Sequence, residues 1–88
     1  MAMTEQDVMA LCNECSLPEH MHGGVVNYLV HKIEPGGFLR AVLENNLVEA
    51  AGRADVRNQH CLFEWAKFLY HIPRNCWGSV EEVNAWLQ

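Results

Sequence analysis

The chain has 88 residues, half of them apolar, and its six Lys and Arg against eleven Asp and Glu give a formal charge of −5. This length allows one domain, 1–88, whose core removes roughly 60–65% of the unfolded chain's surface from water. Six basic residues are few for the phosphate contacts on which nucleic-acid affinity depends, so the composition argues against a nucleic-acid partner.

The distribution of apolar and charged residues predicts a cytoplasmic protein. Segment 1–7 carries neither a basic residue nor an apolar run, and so lacks the features of a signal peptide. The longest run without Asp, Glu, Lys or Arg, 20–31, is too short to cross a bilayer. We therefore expect no membrane contact, and in a reducing cytoplasm the four cysteines should be free thiols.

Two capping patterns predict the first helices. Thr4 followed by Asp7 is typical of a capping box, and the apolar spacing after it predicts a helix over about 5–14. The pair Ser16 and Glu19 repeats the pattern and predicts a second helix. This helix should end before Pro35, because the residue ahead of a proline is biased away from helical backbone.

A glycine pair lies inside the second predicted helix. Gly23 and Gly24 each cost a helix about 1 kcal/mol relative to alanine, which suggests that the absence of a side chain is used. Two explanations are open. Segment 50–52, with its small residues, can cross the pair closely, or a ligand can approach the backbone there.

Two asparagines separate the third predicted helix from the fourth. Segment 35–37, Pro-Gly-Gly, opens the third helix. Asn45 tolerates the left-handed conformation that ends a helix, and Asn46 with Glu49 can cap the next one.

Segment 47–71 carries the longest helical pattern in the chain. Its polar residues recur at steps of three and four and form one stripe: Glu49, Arg53, Arg57, His60, Glu64, Lys67 and His71. The stripe predicts one unbroken helix of ~37 Å, with Gly52 as its weak point. Pro73 ends it, and Ser79 with Glu82 starts a short last helix. The sequence thus predicts an all-α fold, a compact bundle of about five helices with one long central helix.

Cys12 and Cys15, followed by His20 and His22, are the residues that most resemble a metal site. On a helix that begins near residue 18 the two histidines point ~200° apart. The spacing also matches no common zinc pattern. We therefore predict no metal and no other cofactor, with the cysteines facing the core and the histidines on the surface.

No pattern typical of catalysis accompanies these residues. The cysteines and histidines lack the local signatures of nucleophilic sites, and Gly36-Gly37 lacks the Lys and Ser/Thr of a phosphate-binding loop. A helix-turn-helix around Gly52 would need apolar residues where Arg53 and Asn58 stand. We predict that the protein is not an enzyme.

Basic side chains collect on and just beyond the polar stripe. One interpretation is a solvated face joined by ion pairs such as Glu49–Arg53, and another is an anion site formed where two copies meet. Because arginine and tryptophan dominate binding hot spots, we assign the partner- or ligand-binding surface to Arg53, Arg57, His60, Arg74 and Trp77. For Trp77, plugging the base of the long helix is the alternative role.

The apolar side of the long predicted helix is wider than one buried face requires. Phe63 and Tyr70, seven residues apart, lie on its flank. This excess of apolar surface predicts self-association, most simply as a homodimer.

Four segments after the first helix share a wider pattern: Pro18-Glu-His-Met-His-Gly-Gly24, Pro35-Gly-Gly-Phe-Leu-Arg-Ala-Val-Leu-Glu-Asn-Asn-Leu47, Ala54-Asp55 with Asn58, and Trp77-Gly-Ser79 with Trp86. In these segments the chain resembles a group of short uncharacterised proteins encoded by tailed phages and prophages. The cysteines of the first helix are not part of that pattern. The resemblance implies an accessory phage protein that acts inside the host, and such proteins often bind a defence or regulatory protein.

Sequence and resemblance together predict a non-catalytic phage or prophage accessory protein that binds and modulates a host protein. A defence component is the expected partner, as for an anti-CRISPR-like or other anti-defence protein. The alternative is an oligomeric small-ligand binder that sequesters an anionic signalling nucleotide. Host-protein binding predicts a stable complex in a pull-down, whereas sequestration predicts a thermal shift with nucleotides.

Overall fold

A computed structural model describes residues 3–88, and the regular elements in this range are all helical. In chain order they are α1 (Glu5–Glu14), a 3-10 turn (Glu19–Met21), α2 (His22–His31), α3 (Gly37–Leu43), α4 (Leu47–Arg53), α5 (Val56–Gln59), α6 (Leu62–Leu69), a second 3-10 turn (Arg74–Cys76) and α7 (Val80–Leu87). The predicted all-α class is confirmed, but about five helices is too few, because 47–71 holds three. None of the described helices is long and apolar enough to cross a bilayer.

The first capping box is confirmed and the second is wrong. Thr4 Oγ1 accepts the N–H of Asp7, and the Asp7 carboxylate accepts the N–H of Thr4, both at 3.1 Å. Ser16 instead adopts the left-handed conformation, with φ of 59°, just past the end of α1. The N–H of Leu17 then donates back to the carbonyl of Cys12, which closes α1. Because Ser16 ends α1, α2 begins only at residue 22.

The glycine pair does not lie against segment 50–52, so the predicted crossing is wrong. A Cβ on Gly24 would lie 3.8 Å from Leu39 Cδ2 in α3, whereas nothing lies within 4 Å of a Cβ on Gly23 or Gly52. The side of α2 that carries Gly24 therefore faces α3.

The asparagine pair behaves as predicted. Asn45 is left-handed, with φ of 63°, and Asn46 Oδ1 accepts the N–H of Glu49 at 3.2 Å. The chain reverses at this point, and α3 and α4 pack against each other.

The predicted single helix over 47–71 is wrong. α4 ends at Arg53, Ala54 is extended, and Asp55 Oδ1 accepts the N–H of Asn58 at 2.8 Å to cap α5. A second interruption at 60–61 separates α5 from α6. The whole fold measures 32 Å along its longest axis, less than the ~37 Å that a straight helix over 47–71 would need.

Trp65 lies at the centre of the core. Its ring packs edge-to-face with Phe38 and Phe68, at centroid distances of 5.5 and 5.9 Å. Its Nε1 donates to Asn58 Oδ1 at 2.9 Å. Because the break at residues 54–55 directs Asn58 inward, a polar side chain becomes the buried partner of Trp65.

The C-terminal segment closes the fold over α2. Ser79 Oγ accepts the N–H of Glu82 at 3.1 Å and starts α7, as predicted. The Tyr28 hydroxyl donates to the carbonyl of Cys76 at 2.6 Å, and Trp86 Nε1 donates to the carbonyl of Tyr28 at 2.9 Å. These long-range hydrogen bonds fasten the second 3-10 turn and α7 to α2.

Candidate functional site

Arg53, at the end of α4, is engaged with its own helix. Its Nε donates to Glu49 Oε1 at 2.8 Å, the ion pair that the solvated-face interpretation predicts. Its guanidinium covers the start of α3, where a Cβ on Gly37 would come within 2.8 Å of Nη1. Gly37 thus provides the space in which the Arg53 side chain lies.

Arg57 and His60 lie elsewhere, on the wall of an open cleft between α5 and the turn after α1, which we call the Arg57 cleft. His22 and Cys61 also line this cleft, which has a volume of about 510 Å³. The His22 ring is buried, so the prediction that both histidines lie on the surface is wrong for His22, and its Nε2 lies 2.9 Å from the Leu17 carbonyl. Because a carbonyl only accepts, this nitrogen carries the proton and the other ring nitrogen is available as an acceptor when the ring is neutral.

Arg74 and Trp77 occupy a third place, before α7. The Arg74 guanidinium lies over the Trp77 ring, 4.6 Å from its centroid. Trp77 is only 8% exposed, and its Nε1 is buried without a hydrogen-bond partner among the described residues. The neighbouring Gly78 N–H donates to the Leu43 carbonyl at 2.7 Å and holds the loop against α3. Trp77 is therefore a core residue with Arg74 as its cover, and the long helix whose base it was predicted to plug is not formed.

The candidate zinc ligands face different partners. His20 Nε2 lies 2.8 Å from Asp55 Oδ2, while His22 is tied to Leu17. Burial raises the pKa of the Cys12 thiol to about 11, and burial is also the largest cause that raises the pKa of Cys15. Among residues 3–88, no group of three or more His, Cys, Asp or Glu is placed to hold a metal ion.

A different surface stands out by its exposure. We call it the α4–α6 surface and define it by uncharged residues on the outer sides of these two helices: Leu47, Val48, Ala51, Leu62, Phe63, Ala66 and Tyr70. Four of its side chains are large and well exposed: Leu47 at 69%, Val48 at 83%, Phe63 at 71% and Tyr70 at 85%. Large apolar side chains are seldom this exposed together on a monomer without a partner.

A small apolar groove divides the α4–α6 surface. It has a volume of about 70 Å³, and its lining includes Leu47 and Ala50 from α4 and Leu62, Ala66 and Leu69 from α6. The α4–α6 surface therefore has both protruding aromatic rings and an apolar recess.

The sequence indicated only part of this surface. Phe63 and Tyr70 were recognisable because they widen the apolar pattern beyond one helical face. Leu47 lies opposite the polar stripe on the predicted continuous helix, and nothing in the local pattern marks Leu47 or Val48 as exposed.

Comparisons with protein-family models, with curated proteins and with solved structures found no match to the chain. The resemblance to phage-encoded proteins stays a prediction. The residues of the α4–α6 surface and of the Arg57 cleft are thus the basis for proposing a function.

Proposed function

We propose that the protein is a non-catalytic accessory protein of phage or prophage origin that binds and modulates a protein of the bacterial host. A defence component is the partner class we favour, and the host cytoplasm is the compartment. In this proposal the α4–α6 surface makes the contact. The observation that carries it is the exposure of Leu47, Val48, Phe63 and Tyr70, each 69% or more, on that one surface.

The hydrophobic effect supplies a driving force for covering this surface. Removing roughly 500 Å² of apolar area from water stabilises a complex by on the order of 12 kcal/mol. Association itself costs about 4–15 kcal/mol, so area alone leaves little net affinity. A specific partner must therefore add well-fitting contacts to Phe63 and Tyr70, which are of the side-chain type that anchors interfaces.

The size of the groove favours a protein over a small molecule at this surface. Pockets for small ligands hold about 300–1,000 Å³. The groove between α4 and α6 holds about 70 Å³, which suits one aliphatic side chain of a partner. Its lining includes Asn45 and Asn46 but is mostly apolar, with Leu47, Leu62 and Leu69, and it calls for an uncharged side chain.

Reconstitution with a purified partner tests the proposal. The tagged chain is used to capture proteins from a lysate of the host bacterium, the captured protein is identified by mass spectrometry, and calorimetry is run on the two purified proteins. We expect binding with a negative heat-capacity change, the sign of apolar burial. If no captured protein binds when purified, or binding shows a heat-capacity change near zero, the proposal is contradicted.

A second candidate function, sequestration of an anionic signalling nucleotide, is favoured by the Arg57 cleft. Its volume of about 510 Å³ is in the range of small-ligand sites, and it presents Arg57, His60 and His22. The carboxylate of Glu19, which also lines the cleft, would repel an anion. Thermal stabilisation by nucleotides that is lost in Arg57→Gln and kept in Arg53→Gln would support this function, and no stabilisation of the unmodified chain would remove it.

A further inference from the structure

The outer face of α6 has an alternation of large and small side chains. Trp65, Phe68 and Leu69 point into the core. At 100° per residue the opposite side of the helix carries Phe63 and Ala66, and Tyr70, the C-cap residue in right-handed helical backbone, continues this side. Phe63 and Tyr70 are separated by two turns, ~10 Å along the axis, and Ala66 lies between them.

We propose that this face binds α6 of a second copy, antiparallel, about a two-fold axis that passes close to Ala66. In a two-fold interface, if residue i of one copy contacts residue j of the other, then j also contacts i. An axis midway between Phe63 and Tyr70 brings Phe63 of each copy against Tyr70 of the other, so the contact is formed twice. Ala66 has the small side chain that lets two helices approach closely at such a crossing.

Charge selects the antiparallel arrangement over a parallel one. Glu64 and Lys67 lie on the same flank of α6, where they line a recess together with Phe63. In an antiparallel pair the flank of α6 that carries Glu64 and Lys67 lies beside the same flank of the second copy. Lys67 of each copy then comes within reach of Glu64 of the other. In a parallel pair Lys67 would instead lie beside the uncharged flank that carries Leu62 in the second copy. The dipoles of the two helices would also point in the same direction, which is unfavourable.

The area meets the lower limit for a specific dimer. Phe63 and Tyr70 expose 71% and 85% of their surface, which is roughly 300 Å² between them. With Ala66, the Lys67 stem and Leu62 added, each copy contributes about 500 Å², and a specific interface needs about 1,000 Å² from both partners. We therefore expect a reversible dimer rather than a permanent one.

The dimer leaves the α4 side of the α4–α6 surface open. Leu47, Val48 and Ala51 lie across the groove from the α6 face. A host protein can therefore make its first contact there, but because the proposed host contact also uses Phe63 and Tyr70, it then competes with the second copy for the α6 face. The dimer itself requires no host protein, so its test is independent of the proposed function.

Sedimentation velocity on the purified full chain, from low to high micromolar concentration, tests the pairing with two charge-swap variants. F63K/Y70K places like charges opposite each other and should weaken the dimer by at least about thirty-fold. F63K/Y70E places its introduced lysine opposite the introduced glutamate of the second copy only in the antiparallel arrangement, and should dimerise again in a salt-sensitive manner. Both pairs replace exposed side chains, and circular dichroism should show an unchanged helical fold.

The matched control is I33K/V56K, which adds the same charge at two exposed apolar positions away from α6 and should dimerise like the unmodified chain. A monomer at every concentration of the unmodified chain overturns the proposal. So does a dimer that survives F63K/Y70K, or loss of the dimer in the control. If F63K/Y70E stays as monomeric as F63K/Y70K, the antiparallel arrangement is overturned.

Discussion

At the residue scale, Asp55 links three segments. One of its carboxylate oxygens accepts the Asn58 N–H, and the other lies 2.8 Å from His20 Nε2. The backbone hydrogen bond first, and the contact with His20 second, lower the pKa of Asp55 below its ordinary value of 3.8. Protonation of this carboxyl group is thus less favourable in the folded state than in the unfolded state.

This depressed pKa predicts an acid-dependent stability difference for Asp55→Asn. Asparagine keeps a capping oxygen but not the charge. A group whose folded pKa is lowered stabilises the fold above its unfolded-state pKa, and that contribution is lost as pH falls through the folded pKa. The Tm of the wild type should exceed that of the variant above about pH 5, and the difference should shrink below about pH 4. A difference that is the same at both ends of this range would show that the charge is not responsible.

Thiol accessibility gives a second residue-scale prediction. Cys12 and Cys76 are fully buried, and burial raises the pKa of each to about 11. Since the thiolate is the reactive form, both should resist alkylation near pH 8 until the protein unfolds. Cys61 and Cys15 are only half-buried and should react in the native protein. Mass spectrometry after a short maleimide pulse measures this, and rapid labelling at position 12 or 76 would contradict it.

At the scale of elements, the Asn58–Trp65 hydrogen bond fastens α5 to α6. Asn58→Ala leaves the buried Trp65 Nε1 without its acceptor, which should lower the free energy of unfolding by about 1–3 kcal/mol. Asn27→Ala, an exposed helical position in α2, is the matched control and should change it by less than about 0.5 kcal/mol. Urea denaturation gives both values. Equal effects of the two substitutions would mean that the buried hydrogen bond contributes nothing specific.

Capping could be predicted from the sequence wherever it is local. Thr4, Asn46 and Ser79 each bond a backbone N–H three residues later, and a short sequence pattern is enough to specify that contact. Ser16 shows the limit of such patterns. Ser16 is left-handed in the turn that places Leu17 in the core. Burial of Leu17 depends on tertiary packing, which a local sequence pattern does not contain.

The error over 47–71 has a similar cause. The polar stripe predicts which residues are exposed, and Arg53, Arg57 and His60 are exposed. Because they are exposed whether the segment forms three separate helices or one continuous helix, their pattern does not distinguish the two. The local signal against continuity is Asp55, because aspartate is a common N-cap residue, and its Oδ1 accepts the backbone N–H of Asn58. Because the break sets where α4 points, the sequence could not show that Val48 lies on the surface.

At the scale of the whole molecule, the distribution of exposed residues separates polar clefts from an apolar surface. The net charge of −5 repels other acidic proteins, a second copy of this chain included, over a long range. The α4–α6 surface is defined by uncharged side chains, so binding there depends on apolar contact once a partner is close. The complex with a host protein should therefore weaken little as salt is raised at neutral pH.

The affinity of the purified host partner for two valine variants tests the proposed function most directly. Val48, 83% exposed, lies on the α4–α6 surface, and Val56, 68% exposed, lies outside it in α5. Each is in the first turn of its helix, where glutamate is well tolerated. We predict that Val48→Glu weakens binding by at least about thirty-fold while Val56→Glu leaves it unchanged, with both variants melting like the wild type. Equal affinity of the two variants for the partner would contradict binding through this surface.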